Sequence, residues 1–228
     1  LRLANKLKVK KLIYAASASC YGKTKNKPVK ETDQIKLEHP YALSKYLGEK
    51  VSLHWAKVYN LSVISLRIFN AYGPRSRTTG AYGAVMGVFF KQKLKNKPLT
   101  IVGDGTQSRD FIFVNDLVKA FLKAALSKKR SRIYNVGTGK ASTINYLAKL
   151  IGGKKIKIPN RPGEAKVSIA NIDKITKELN WRPLTKFSTG VYKLMQYIND
   201  WKDAPLWTPK KIKTATKDWF KFLKNEKK

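Results

Sequence analysis

The chain has 228 residues, 43% of them hydrophobic, enough to bury a core as one large domain or two lobes. No run approaches the length of a membrane span and no signal-peptide pattern opens the chain. One cysteine, Cys20, and two histidines, His39 and His54, argue against a disulfide framework and a zinc site, while 48 Lys+Arg against 14 Asp+Glu leave a net charge of +34.

In chain order, LRLANKLKVK (1–10) reads as the end of a helix running straight into a strand. The short, β-rich segments are KKLIYAAS (11–18), SVISLRIFN (62–70), KPLTIVG (97–103), RDFIFV (109–114) and RIYNVG (132–137). Helical periods fall at 40–59, 83–96, 115–128, 142–152, 171–180 and 188–201, with a last one near 214–224. This alternation predicts an α/β fold with a largely parallel sheet. PNRPGE (159–164) marks a loop and a lobe boundary. Parallel α/β folds place ligands at the carboxyl ends of their strands, so a site is to be sought in the loops after residues 18, 70 and 137.

The positive charge attracts polyanions. The lysines, however, are scattered through every segment, outnumber arginine heavily and form neither a basic tail nor a nucleic-acid motif. A dedicated nucleic-acid partner is therefore not expected, nor a membrane. The field still favours a doubly anionic small substrate. A reducing, cytoplasmic setting is the simplest reading of the cysteine usage.

Three Tyr-x-x-x-Lys pairs are candidates for acid–base chemistry: Tyr21 with Lys25, Tyr41 with Lys45, and Tyr46 with Lys50. In so lysine-rich a chain the bare pattern is weak. Tyr21 and Lys25 straddle Gly22 in a turn-like loop. Tyr41 and Tyr46 share a helix but lie about 140° apart, so they cannot both face one pocket. Tyr41 falls in the first turn after His39-Pro40, next to the strand ends, which favours the pair Tyr41 and Lys45. Asp104 in VGDGT reads as closing a turn and Asp116 in VNDL as capping the following helix. Trp181, Trp201, Trp207 and Trp219 read as packing residues, as do Ser19 and Cys20.

SASCYG (17–22), PYALSK (40–45) and LRIFNAYGPR (66–75), followed by VGDGTQSRDFIFVNDL (102–117), YNVGTG (134–139) and RPGE (161–164), run through nearly the whole chain in order. Together they resemble the extended short-chain dehydrogenase/reductase family, and within it the NAD-dependent nucleotide-sugar epimerases and dehydratases, UDP-glucose 4-epimerase among them. The resemblance implies a partial Rossmann-type doubly wound parallel sheet over 1–80 and 109–137. A smaller nucleotide-sugar-binding lobe is expected over 81–108 and 138–228. Family members open with a glycine-rich phosphate loop, absent from this sequence. The chain is thus expected to be an N-terminally truncated piece that lacks the pyrophosphate and adenine half of the NAD site, and its first strand to present an open edge.

The resemblance further implies the chemistry. Tyr41 removes the proton of the sugar 4-hydroxyl while hydride passes from C4 to NAD; the 4-keto sugar rotates and takes hydride back on its other face. An unperturbed phenol is a poor base at neutral pH, and a nearby ammonium and the nicotinamide cation favour its anion. Lys45 supplies that ammonium and holds the nicotinamide ribose, and Ser17 bridges sugar hydroxyl and tyrosine. Phe69 lines the nicotinamide pocket. Asn70 contacts sugar or diphosphate, Arg109 and Arg161 hold the diphosphate, and Glu164 takes the nucleotide ribose. Ser168 stands at a gate whose small size admits a 2-N-acetyl group. Tyr21 is structural. Dehydratases carry an acidic pair where this chain has Ala18 and Ser19, so epimerisation at C4 is favoured over dehydration or reduction. A non-catalytic nucleotide- or polyanion-binding relative is disfavoured by the intact Ser17, Tyr41 and Lys45. A homodimer through helices such as 40–59 is also implied.

Overall fold

The computed structural model describes residues 1–24, 28–76, 85–160 and 165–223. In chain order its elements are α1 (Arg2–Lys6), β1 (Leu12–Ser17), a 3-10 turn (Ala18–Tyr21), α2 (Pro40–Tyr59), β2 (Val63–Ile68) and β3 (Asn70–Tyr72). Then come α3 (Val85–Leu94), β4 (Leu99–Val102), β5 (Ser108–Arg109), β6 (Phe111–Phe113), α4 (Val114–Leu126) and β7 (Arg132–Val136). The remainder comprises β8 (Ser142–Thr143), α5 (Ile144–Ile151), β9 (Lys155–Ile158), β10 (Val167–Ser168), α6 (Asp173–Leu179) and α7 (Phe187–Met195). A 3-10 turn (Ile198–Trp201), α8 (Pro209–Ala215) and α9 (Lys217–Leu223) close the described chain. No helix of the described residues is long and apolar enough to cross a membrane.

The chain divides into two compact units. The first holds Leu1–Tyr72, Arg109–Ala141 and Val167–Thr185. Its sheet is parallel, in the order β1-β2-β7, with Ser17 opposite Ile68 and Ile68 opposite Val136. Those three residues therefore form one row at the carboxyl edge. The central strand β2 is buried over Val63 to Arg67, as a parallel strand covered on both faces must be. Ile64 and Leu66 of β2 and Tyr134 and Val136 of β7 pack with Ile112, Ala120 and Ala124, and with Ile175, Leu179 and Trp181. Burying side chains of this size contributes about 1.5–3 kcal/mol each. A second parallel pair, β3 with β6, sets Asn70 opposite Phe111.

Contacts divide the chain after Tyr72, Ser108 and Ala141. Residues 167–185 return to the first unit, because α6 packs on β7 and Ala170 joins a buried cluster with Phe69. The single strand expected over 62–70 is two, interrupted at Phe69. The expected helix 188–201 breaks after Met195, and the last one is two short helices joined at Thr216. Asp116 does not cap α4. Phe113 is the cap residue, and no side chain caps that end among the described residues. Buried in the first turn, Asp116 instead accepts a hydrogen bond from the Thr185 backbone N–H at 2.8 Å. Asp104 does close a turn, with Oδ1 accepting from the Thr106 N–H and hydroxyl.

The second unit holds Gly73–Ser108, Ser142–Lys166 and Lys186–Lys228. Its β4 pairs in parallel with β9, whose sequence KIKI carries lysines at alternate positions and gave no strand signal. Helix α3 packs on α5 and β4. Its buried Gln92 works as a clamp: Nε2 donates to Thr100 Oγ1 and Trp207 O, and Oε1 accepts from the Thr100 N–H. Trp201 is buried against Phe90.

Candidate active site

The site is built where β1 hands over to α2. Helix α2 starts sharply because His39 Nδ1 accepts from the Ala42 N–H at 3.1 Å and Pro40 occupies the first helical turn. Tyr41 therefore lies in the first turn with its ring 54% exposed, and Lys45 follows one turn on. The Lys45 ammonium donates to Ala15 O of β1 at 3.0 Å. An ammonium has three N–H groups, and this bond uses one.

Tyr14, on β1, reaches the same helix and donates from its hydroxyl to Lys45 O at 3.2 Å. Its phenol is pushed up from its ordinary value by burial first, then by Glu49 and Tyr41. Gly48 allows this approach: a Cβ there would lie 2.1 Å from the Tyr14 hydroxyl. The glycine thus sets how closely α2 rests on β1, and with it the seat of Lys45.

Ser17 ends β1 and caps the 3-10 turn, its Oγ accepting from the Ser19 N–H at 3.2 Å. A hydroxyl that accepts one bond keeps its own proton to donate. The Oγ of Ser19 is buried and has no hydrogen-bond partner among the described residues. Cys20 is 2% exposed, and burial pushes its thiol up to about 11, so it is a packing residue.

Beneath these groups runs a buried polar network that the sequence reading missed. Glu49 and Arg67 form a two-point pair, Nη2 to Oε1 at 2.6 Å and Nε to Oε2 at 3.0 Å, and Ser65 Oγ donates to Oε2 at 2.8 Å. Arg67 Nη1 donates to the Tyr21 hydroxyl at 2.8 Å, which donates to Asn135 Oδ1 at 2.7 Å. Glu49, Arg67, Tyr21 and Asn135 are all at most 3% exposed. Burial pulls the Arg67 guanidinium down, but Glu49 and Tyr21 outweigh it and the net push is up. Burial also drives the Tyr21 phenol far up against the pull of Arg67, so Tyr21 is no base. The network ties α2, the 3-10 turn, β2 and β7 together at the edge where Ser17 and Tyr41 sit. An arginine inside the apolar run SVISLRIFN was its one signal, since a buried guanidinium requires an acid.

The other expected residues are spread along the same edge. Phe69, 6% exposed, packs with Cys20, Tyr21, Val29 and Ala170. Asn70 donates from its backbone N–H and from Nδ2 to Asp110 O, at 3.0 and 3.3 Å. Arg109 is half-buried beside Asp110. Ser168, also half-buried, accepts at its carbonyl from the Asp110 N–H at 2.9 Å. Asp110 itself is fully buried; Oδ1 accepts from the Thr138 N–H and hydroxyl, Oδ2 from the Gly139 and Ala170 N–H groups. Burial pushes its carboxyl up against the pull of those bonds. Its role is to pin the loop after β7, and it too was missed. Arg161 and Glu164 lie outside the described residues, as does the side chain of Trp219.

Residues 1–137 match the family described as NAD dependent epimerase/dehydratase. The chain belongs to that family. A putative UDP-glucose 4-epimerase of Methanocaldococcus jannaschii is 33% identical over 206 residues, 88% of this chain and 67% of that protein. Among solved structures, UDP-N-acetylglucosamine 4-epimerase from Methanobrevibacter ruminantium, in complex with UDP-N-acetylmuramic acid, superposes with a TM-score of 0.80. It is 30% identical and covers 86% of this chain and 65% of its own. UDP-glucuronic acid 4-epimerase from Bacillus cereus, in complex with UDP-glucuronic acid and NAD, also reaches 0.80, at 28% identity over 87% of this chain and 64% of its own. This family member thus spans about two-thirds of the length of these relatives, which are epimerases and hence isomerases. The sheet with Ser17 at its carboxyl edge and Tyr41 on the next helix belongs to the parallel α/β architecture these structures share.

Proposed function

We propose that the protein epimerises the C4 hydroxyl of a UDP-activated hexose, UDP-glucose or its N-acetylated form, with NAD as a resident cofactor. One observation carries this reading: Ser17, Tyr41 and Lys45 come from the end of β1 and the start of α2, elements that pack on each other. The residues present fit the reactive half of the cofactor and the sugar. A half-exposed phenol, an ammonium with N–H groups to spare and a buried, unpartnered Ser19 hydroxyl gather on elements at one strand end.

In this reading NAD, when bound, supplies reversible hydride acceptance at C4. Tyr41 takes and returns the proton of the 4-hydroxyl, Ser17 donates to the same oxygen, and Lys45 holds the ribose hydroxyls while keeping positive charge beside the phenol. Phe69 borders the nicotinamide. Asn70 and Arg109, with Arg161, take the diphosphate, Glu164 the nucleotide ribose, and Ser168 leaves room at C2. With Ala18 and Ser19 after Ser17, no carboxylate stands there to protonate a leaving hydroxyl, and the reaction stops at the epimer. Incubating the native protein with UDP-glucose or UDP-N-acetylglucosamine in deuterium oxide should yield the C4 epimer without deuterium at C4. A 4-keto-6-deoxy product, or no conversion of either sugar, would remove this assignment.

Helix α2 also supports a homodimer. Leu43, Leu47, Val51 and Val58 lie 44 to 55% exposed at helical spacing along it, an apolar stripe of the kind that pairs. Light scattering should give twice the chain mass for the native protein, and Leu47→Asp should shift it toward the monomer; a monomer at high concentration contradicts the pairing. A cytoplasmic location accords with the sugar-nucleotide substrate.

A further inference from the structure

At the amino ends of the strands, roughly 20 Å from Ser17 along the six residues of β1, the first unit holds a cavity of about 630 Å³. Lys8, Lys10, Lys11, Lys128 and Arg130 line it, and no carboxylate does among the described residues. Two of these cations are fixed by helix ends. The Lys11 ammonium donates to Ser127 O and, at 3.4 Å, to Ala124 O, closing α4. Arg130 Nη2 donates to Asn60 O at 2.7 Å and Oδ1 at 2.8 Å, at the left-handed cap of α2. Both follow the preference of cations for helix carboxyl ends. The Lys11 ammonium is nonetheless pulled down, by burial first and then by Arg130, so the two cations repel.

Lys8, Lys10 and Lys128 remain exposed around them. Lys8, at a φ of +49°, is the left-handed turn that ends α1 just past its cap Leu7, its N–H donating to Asn5 O. The cavity is an open groove, and a cluster of like charges on a concave surface concentrates counter-charge.

We propose that this groove binds a small, multiply phosphorylated anion, with its phosphates against Lys8, Lys10 and Lys128. The ligand relieves the repulsion between Lys11 and Arg130. It binds independently of the sugar-nucleotide site, at the other end of the sheet.

Titration calorimetry of the native protein with inorganic tripolyphosphate at about 0.15 M salt tests this. One equivalent should bind, and the triple exchange of Lys8, Lys10 and Lys128 to Gln should weaken it roughly tenfold or more. The comparison variant carries Gln at Lys119, Lys123 and Lys177, exposed positions of the same unit that do not line the cavity. It removes the same charge and should bind as the native protein does. Equal weakening in both triple variants, or several weak equivalents, would show diffuse attraction to a basic surface and overturn the site. All the exchanged lysines are exposed, so the variants fold, and epimerase activity does not enter the readout.

Discussion

Tyr41→Phe is expected to lower kcat for C4 epimerisation roughly a thousandfold, within the range a positioned acid–base group supplies, while KM for the UDP-sugar changes little. That loss corresponds to about 4 kcal/mol of transition-state stabilisation. The expectation rests on where the ring sits. Half exposed in the first turn of α2, it loses a single oxygen in this variant and no core packing. Tyr46→Phe is the matched comparison. Tyr46 is partly buried against the Phe69 cluster, and the Lys50 ammonium lies 5.3 Å from its ring centre. Turnover should then stay close to that of the native protein. Steady-state kinetics on both variants, with bound NAD measured in each, separates chemistry from cofactor loss. If Tyr41→Phe keeps more than about a tenth of native turnover, Tyr41 is not the base.

Arg67→Met is expected to destabilise the protein by about 3–5 kcal/mol, because it leaves Glu49 charged and buried with its partner gone. For a chain of this size that is a fall in melting temperature of roughly 10 °C. The Tyr21 hydroxyl loses its donor as well, and with it the link from β2 to the 3-10 turn. Removing both charges, as Glu49→Leu with Arg67→Met, should recover most of the stability, since an apolar pair carries no desolvation cost. Thermal unfolding followed by circular dichroism reads the cycle. A loss below about 1 kcal/mol in Arg67→Met would mean that water reaches Glu49 and that the pair does not fasten α2 to the sheet.

The two experiments address different layers of one structure. Tyr41 is a surface group whose loss is expected to be felt in chemistry. Arg67 is a core group whose loss is felt in folding, and it acts on the site only through the elements it joins. The sequence pointed to the first and not to the second. Tyr41 could be preferred over Tyr46 because helical geometry and His39-Pro40 place it at a helix start near strand ends, a local argument. Glu49, Arg67, Tyr21 and Asn135 come from four separate stretches of chain, and nothing in any one stretch names its partner. Asp110 was missed for the same reason, since its four donors lie on Thr138, Gly139 and Ala170.

Local rules also set the limits of the element reading. Helix α2 runs over the expected 40–59, since a cap, a proline and helical periodicity agree there. The strand KIKI was invisible because its side chains face solvent with lysines, and its strand state comes from hydrogen bonds to β4. Asp116 looked like a cap from its position near a helix start, but its carboxylate is turned to the backbone of Thr185, far along the chain.

The α/β class, the strand–helix alternation and the family were thus legible in the sequence, and Tyr41 and Lys45 could be nominated from it, because periodicity, caps and ordered motifs are written in neighbouring residues. Packing alone brings 167–185 back to the first unit, joins α2 to β2 through a buried ion pair, and gathers five cations around one groove. Each of those depends on which distant segments share a dry interior or a common rim, and that is set by packing of the whole chain.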